Sequence, residues 1–161
     1  MKINPAVFLL AAMVPVVTGS ARPSEGSRAG STACGLISRQ EAAAALGAAV
    51  PVASEKIADV PMGRQSIKAK YCFYGSEVVI ARFELGPTAS SLFGQYRQSL
   101  TSNSDYQSLS GVGDEAFHAK GQIAVRKGQT GLIIDVGQAR GGGTKELNAE
   151  KKLALLAVGR L

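Results

Sequence analysis

Two β-prone runs joined by a two-residue turn constrain this chain more than any other feature. Residues 69–74 read as a strand, Gly75-Ser76 is turn material, and residues 77–85 alternate: Val79, Ala81, Phe83 and Leu85 fall on one face, Arg82 and Glu84 on the other. Period-two alternation marks a strand with one apolar side. Gly75 tolerates the positive φ that a tight hairpin connection demands. The same grammar recurs at 122–126 and 132–136 around Lys127-Gly128-Gln129-Thr130-Gly131, which predicts a second hairpin. Residues 50–60 can hold a further strand, 62–68 read as a polar loop, and 109–113 lead into an extended stretch around 116–118.

Helices are predicted at three places. Ser38 followed by Glu41 spells a capping box, and the alanine-rich run behind it stops at Gly47, giving a helix over 38–46. Pro87-Thr88 opens a second, with Thr88 as its cap, and Ala89, Leu92, Phe93, Tyr96 and Leu100 recur at helical spacing. After a link at Gly141-Gly142-Gly143, a terminal helix places Leu147, Glu150, Ala154, Ala157 and Leu161 on one side, so that Glu150 stands as a lone charge at the edge of the stripe. Strands joined by hairpins rather than crossovers predict an α+β fold, an antiparallel sheet with helices packed against one face.

The N-terminus bears on location. A lysine at position 2, an apolar run over 6–17 and the small residues Gly19-Ser20-Ala21 read as a cleaved signal peptide, residues 1–21. The run of about 12 apolar residues is short of the roughly 20 that cross a membrane. Residues 22–32, rich in Gly, Ser, Arg and Pro, read as a disordered tether, and residues 33–161 as a single domain. The expected location is periplasmic or secreted. Export puts Cys34 and Cys72 where disulfides persist, so one bridge between them is expected. Two buried thiols are the alternative; a zinc site is poorly served, because it needs four ligands and the one histidine, His118, is remote in sequence. Cys34 lies too far past the apolar run, behind Ser31-Thr32-Ala33, to be a lipid-attachment residue.

Charge and motifs narrow the functions. The net charge of +6 is scattered in pairs rather than gathered into a stripe, which argues against nucleic-acid binding. Gly111-Val112-Gly113-Asp114-Glu115-Ala116 has the letters of a dinucleotide fingerprint. It lacks the helix that would aim amides at a pyrophosphate, and reads as a glycine-rich turn. Asp114 and His118 share a strand face from which Glu115 points away, so the three make a poor metal site and His118 reads as a surface histidine. No serine elbow or Ser-x-x-Lys motif accompanies it. Open amides at the start of the last helix offer one candidate anion site, built from Arg126, Lys127, Arg140, Gly142, Gly143, Thr144 and Lys145. No catalytic residue, metal site or cofactor is predicted.

Several short motifs resemble the LpqN-like envelope lipoproteins, small exported bacterial domains of unknown function. They are Cys34-Gly35-Leu36-Ile37-Ser38 leading to Leu46-Gly47, Cys72-Phe73-Tyr74, Leu109-Ser110-Gly111-Val112-Gly113-Asp114-Glu115-Ala116-Phe117, and Leu132-Ile133-Ile134-Asp135-Val136. The resemblance implies a bridge between the two cysteines and an α+β sandwich of the Mog1/PsbP type, with no shared catalytic residues. The function expected is a non-enzymatic binding or interaction domain whose partner is an envelope protein, lipid or glycan, with no nucleic acid and no membrane span after processing. The alternatives are a small envelope hydrolase or inhibitor-like module using His118 or a carboxylate pair, and a binder of anions or lipid headgroups.

Overall fold

In a computed structural model the described residues are 32–63, 65–137 and 144–161. The expected signal peptide and all of the tether except Thr32 lie outside them. The elements are α1 (Arg39–Leu46), β1 (Ser54–Met62), β2 (Gln65–Tyr74), β3 (Val78–Glu84), α2 (Ala89–Leu100), β4 (Gln107–Leu109), β5 (Glu115–Ala119), β6 (Gln122–Lys127), β7 (Thr130–Val136) and α3 (Thr144–Val158). The strands form one sheet in the order β1-β2-β3-β7-β6-β5-β4, and each of its pairings is antiparallel. Both predicted hairpins are present: β2 pairs β3 from Tyr74↔Val78, and β6 pairs β7 from Lys127↔Thr130. No helix among the described residues is long and apolar enough to cross a membrane.

The helices cover both faces of the sheet, not one. On one face Cys72, Tyr74, Val78, Ile80, Ile123 and Ile134 meet Leu36 and Ile37, which lead into α1, and Leu153, Ala154 and Ala157 of α3. On the other, Ala81, Phe83, Phe117, Ala124 and Ile133 meet Ala89, Phe93, Tyr96 and Leu100 of α2. The alternation of Val79, Ala81 and Phe83 marks only one of these faces. Val78 and Ile80, both fully buried, make the other face of β3 apolar as well, the pattern of a strand covered on both sides.

Two smaller expectations are corrected. Residues 65–68 belong to β2 rather than to a loop, paired with β1 through Asp59↔Lys68 and Met62↔Gln65. Their side chains are half-buried or exposed, so they lack the apolar signal of a strand, and a Lys68–Asp59 ion pair of 3.0 Å crosses the ladder there. Thr88 makes no side-chain cap; a 3₁₀ turn, Gly86–Thr88, carries Pro87 into α2 instead.

The first helix is capped at its start and held at three further points. Ser38 and Glu41 form the predicted capping box, with the Ser38 amide donating to Glu41 Oε2 at 2.8 Å. Arg160, past the end of α3, grips the same carboxylate at 2.5 and 2.8 Å and donates to the Leu36 carbonyl at 2.6 Å. This guanidinium holds the Glu41 carboxyl down at about 2. A disulfide joins Cys34, in the turn before α1, to Cys72 of β2, one strand in from the edge, and the Tyr74 hydroxyl donates to the Ile37 carbonyl.

Close packing fixes at least one residue in the middle of the sheet. Gly131 faces Phe83 across the β3–β7 ladder, and a Cβ at position 131 meets the Phe83 ring at 2.1 Å. That ring is 2 % exposed and has no room to swing aside. Gly131→Ala is therefore expected to cost about 1–3 kcal/mol in urea unfolding, the range for overpacked cores, whereas Gly121→Ala at the β5–β6 turn meets no neighbour and reports only backbone strain.

Candidate functional site

The register brings polar and aromatic groups together on the face that carries α2. Tyr71, Ala81 and Ile133 form one cross-strand row, and Val79, Asp135 and Gln122 form the next. The β1–β2 hairpin folds over this face until Gly63 lies against Gln95 of α2. Between the hairpin, the C-terminal half of α2 and these rows lies a cleft of about 510 Å³. Ala81 and Ile133 give it an apolar floor, Tyr71 and Tyr96 its walls, and Lys120, Gln122 and Asp135 a polar end.

The polar groups are held in place by the fold. Gln122 Nε2 donates to the Tyr96 hydroxyl at 3.1 Å. The Tyr71 ring stacks on Phe73 two residues along β2, centroids 5.7 Å apart and planes 13° apart. Burial first, then the charge of Asp59, pushes the Tyr71 hydroxyl up. Burial, then Tyr71, does the same to Tyr96 against the opposing Gln122 hydrogen bond. Both tyrosines therefore stay neutral phenols at physiological pH, able to donate and accept. Asp135 is 7 % exposed, a carboxyl next to the apolar run Leu132-Ile133-Ile134 of β7. A cleft with a greasy floor and a few fixed polar groups at one end is the common form of a small-molecule site.

A second polar cluster lies across the sheet, under α3. Glu150 is fully buried rather than at the edge of its stripe, and His118 is no surface residue: its side chain is 14 % exposed. Glu150 Oε1 accepts from the Val136 amide at 3.2 Å. Glu150 Oε2 faces His118 Nε2 at 3.5 Å and has no hydrogen-bond partner among the described residues. His118 Nδ1 lies 3.2 Å from the Asp105 carbonyl. Burial above all pushes the Glu150 carboxyl up to about 8, aided by Asp135, Glu146 and Asp105 and opposed by the Val136 amide. The imidazole thus turns Nδ1 to the loop before β4 and Nε2 to Glu150.

The residues of the candidate anion site are only partly placed. Arg126 and Lys127 lie at the β6–β7 turn, at the opposite end of these strands from Val136, where the chain leaves toward α3. Both face Asp114, at 3.3 and 3.5 Å, and Arg126 also faces Glu115 at 3.6 Å. Arg140, Gly142 and Gly143 lie outside the described residues; Thr144 and Lys145 begin α3. The Gly111–Gly113 stretch is a turn that enters strand β5, not a helix, and Asp114 ties it to the β6–β7 turn by accepting from the Gly128 amide at 2.7 Å.

Neither Tyr71, Tyr96, Gln122 and Asp135 nor Glu150 was assigned to a site by the sequence reading. Two of them carry a legible sign, since Asp135 and Glu150 are acids inside apolar patterns and an acid in such a pattern needs a reason. The chain matches no family model, no curated protein and no solved structure.

Proposed function

We propose that this is a non-enzymatic binding domain working outside the cytoplasm, in keeping with the LpqN-like class that its motifs resemble, and that it holds a small amphiphilic ligand in the cleft beside α2. The carrying observation is the cleft itself, an apolar floor of Ala81 and Ile133 with Tyr96, Gln122 and Asp135 fixed at its sides and end. The apolar part of the ligand lies on Tyr71 and Ile133, and its hydrogen-bonding end reaches Gln122 and Asp135. The Cys34–Cys72 bridge supports an oxidising location, and the cleft is lined without His118, which speaks for binding rather than hydrolysis there.

The test is a thermal-shift screen with benzyl alcohol, cyclohexanol and phenethylamine against the native domain and Ser99→Trp. Ser99 is exposed on α2 and lines the cleft, so an indole there fills the opening without entering the core. A fragment present at about ten times its Kd raises the melting temperature by roughly 3 °C. The native protein is expected to show that rise with at least one fragment, and Ser99→Trp to lose it. No rise with any fragment, or an equal rise in the variant, overturns the reading.

A further inference from the structure

The cluster under α3 has a consequence independent of the cleft. Three elements meet at Glu150. Its Oε1 takes the Val136 amide at the end of β7, and its Oε2 points at His118 of β5. The imidazole is set in turn by the loop before β4, through the Asp105 carbonyl. A carbonyl can only accept, so Nδ1 carries the hydrogen on that side and Nε2 presents a lone pair to Glu150. A proton on Glu150 Oε2 would point at that lone pair across 3.5 Å.

We propose that Glu150, set against His118, forms a proton-dependent latch that holds the first half of α3 on the sheet, and that loss of its proton in alkaline solution releases it while the rest of the domain stays folded. With the proton gone, a fully buried carboxylate oxygen faces a ring nitrogen that has no hydrogen to give it. Two acceptors without a donor are costly when buried. The surrounding charges add to the strain: Asp105 from the loop before β4, Asp135 from β7 and Glu146 from α3 itself all repel an ionised Glu150, and His118 from β5 is the group that faces it most closely. Water reaches the pair if the helix lifts. The lift is confined to the first half because the far end is tied separately, by Arg160 on Glu41 and the Leu36 carbonyl. Burial raises the Glu150 carboxyl to about 8, which sets the range in which the latch opens.

The test is amide hydrogen exchange across the pH range, corrected for intrinsic exchange, on native protein and Glu150→Gln. A glutamine keeps the shape, accepts from Val136, can donate to the lone pair of a neutral Nε2, and carries no proton to lose. Between about pH 6 and about pH 9, protection at 147–152 is expected to fall roughly tenfold in the native protein relative to α1 and α2, and to stay level in the variant. If α3 keeps pace with α1 and α2, or if Glu150→Gln loses protection equally, the latch is refuted. Should the variant not fold, the side-chain carboxyl ¹³C shift of Glu150 in native protein decides: a midpoint above neutrality upholds the latch, one near 4.5 refutes it.

Discussion

Replacing Cys34 and Cys72 together by alanine is expected to lower the unfolding free energy by roughly 4 kcal/mol, the value for closing a loop of this length in the chain-entropy model. The bridge spans 38 residues, and that span contains α1, β1 and most of β2. Without it the unfolded chain gains the freedom to separate these elements. The folded state loses little contact, because the Tyr74 hydroxyl still reaches Ile37 and Arg160 still reaches Glu41. A loss of that size is a large part of the roughly 5–15 kcal/mol that holds a domain together. Urea unfolding of the double variant measures it, and reduction of native protein offers a second route to the same state. A loss under about 1 kcal/mol means that the turn and strand are held by packing alone.

Stability is also expected to peak in mildly acidic solution and to fall on both sides, by a few kcal/mol toward alkaline pH. Glu41 sits at about 2 in the fold against 4.5 free, so its contribution is present above 4.5 and is lost as the pH drops through 2. Glu150 shifts the other way, to about 8. Its contribution is fully present below 4.5 and is lost as the pH climbs through 8, because across that window the folded state holds a proton that the unfolded state has released. Each limb is limited to about 1.4 kcal/mol per pH unit and per group. Asp105, lowered by the amides of Lys120 and Gly121, steepens the acid side. Melting curves at a series of pH values test both limbs. Glu150→Gln should flatten the alkaline one and leave the acid one, and a native protein that gains stability from about pH 5 to about pH 8 contradicts the assignment.

The local rules carried most of the fold. The capping box of Ser38 and Glu41, the turn opened by Gly75-Ser76 and the helical spacing of Ala89, Phe93, Tyr96 and Leu100 act within a few residues; the first and last appear as read, and the turn takes in Glu77 as well, so that β3 starts at Val78. What stayed hidden depends on distant partners. Residues 65–68 pair as a strand only because β1 lies beside them, and the second buried face of β3 is explained only once α1 and α3 cover it. The cleft draws on β2, α2, β6 and β7, elements whose approach is set by sheet order and by the fold of the β1–β2 hairpin over α2. No spacing in the chain joins Tyr71 to Gln122 or Asp135. Glu150 was visible as an acid in an apolar stripe, but its depth follows from His118 and Val136 on strands far back in sequence.

The seat of the ligand can be read most directly from two-dimensional amide spectra of the ¹⁵N-labelled domain titrated with the fragment that raises its melting temperature most. The largest shifts are expected at Tyr71, Val79, Tyr96, Gln122, Ile133 and Asp135, with those of α1 and the β6–β7 turn unmoved. Shifts gathered instead around Arg126 and Lys127, or spread evenly over the surface, would place recognition elsewhere and contradict the account.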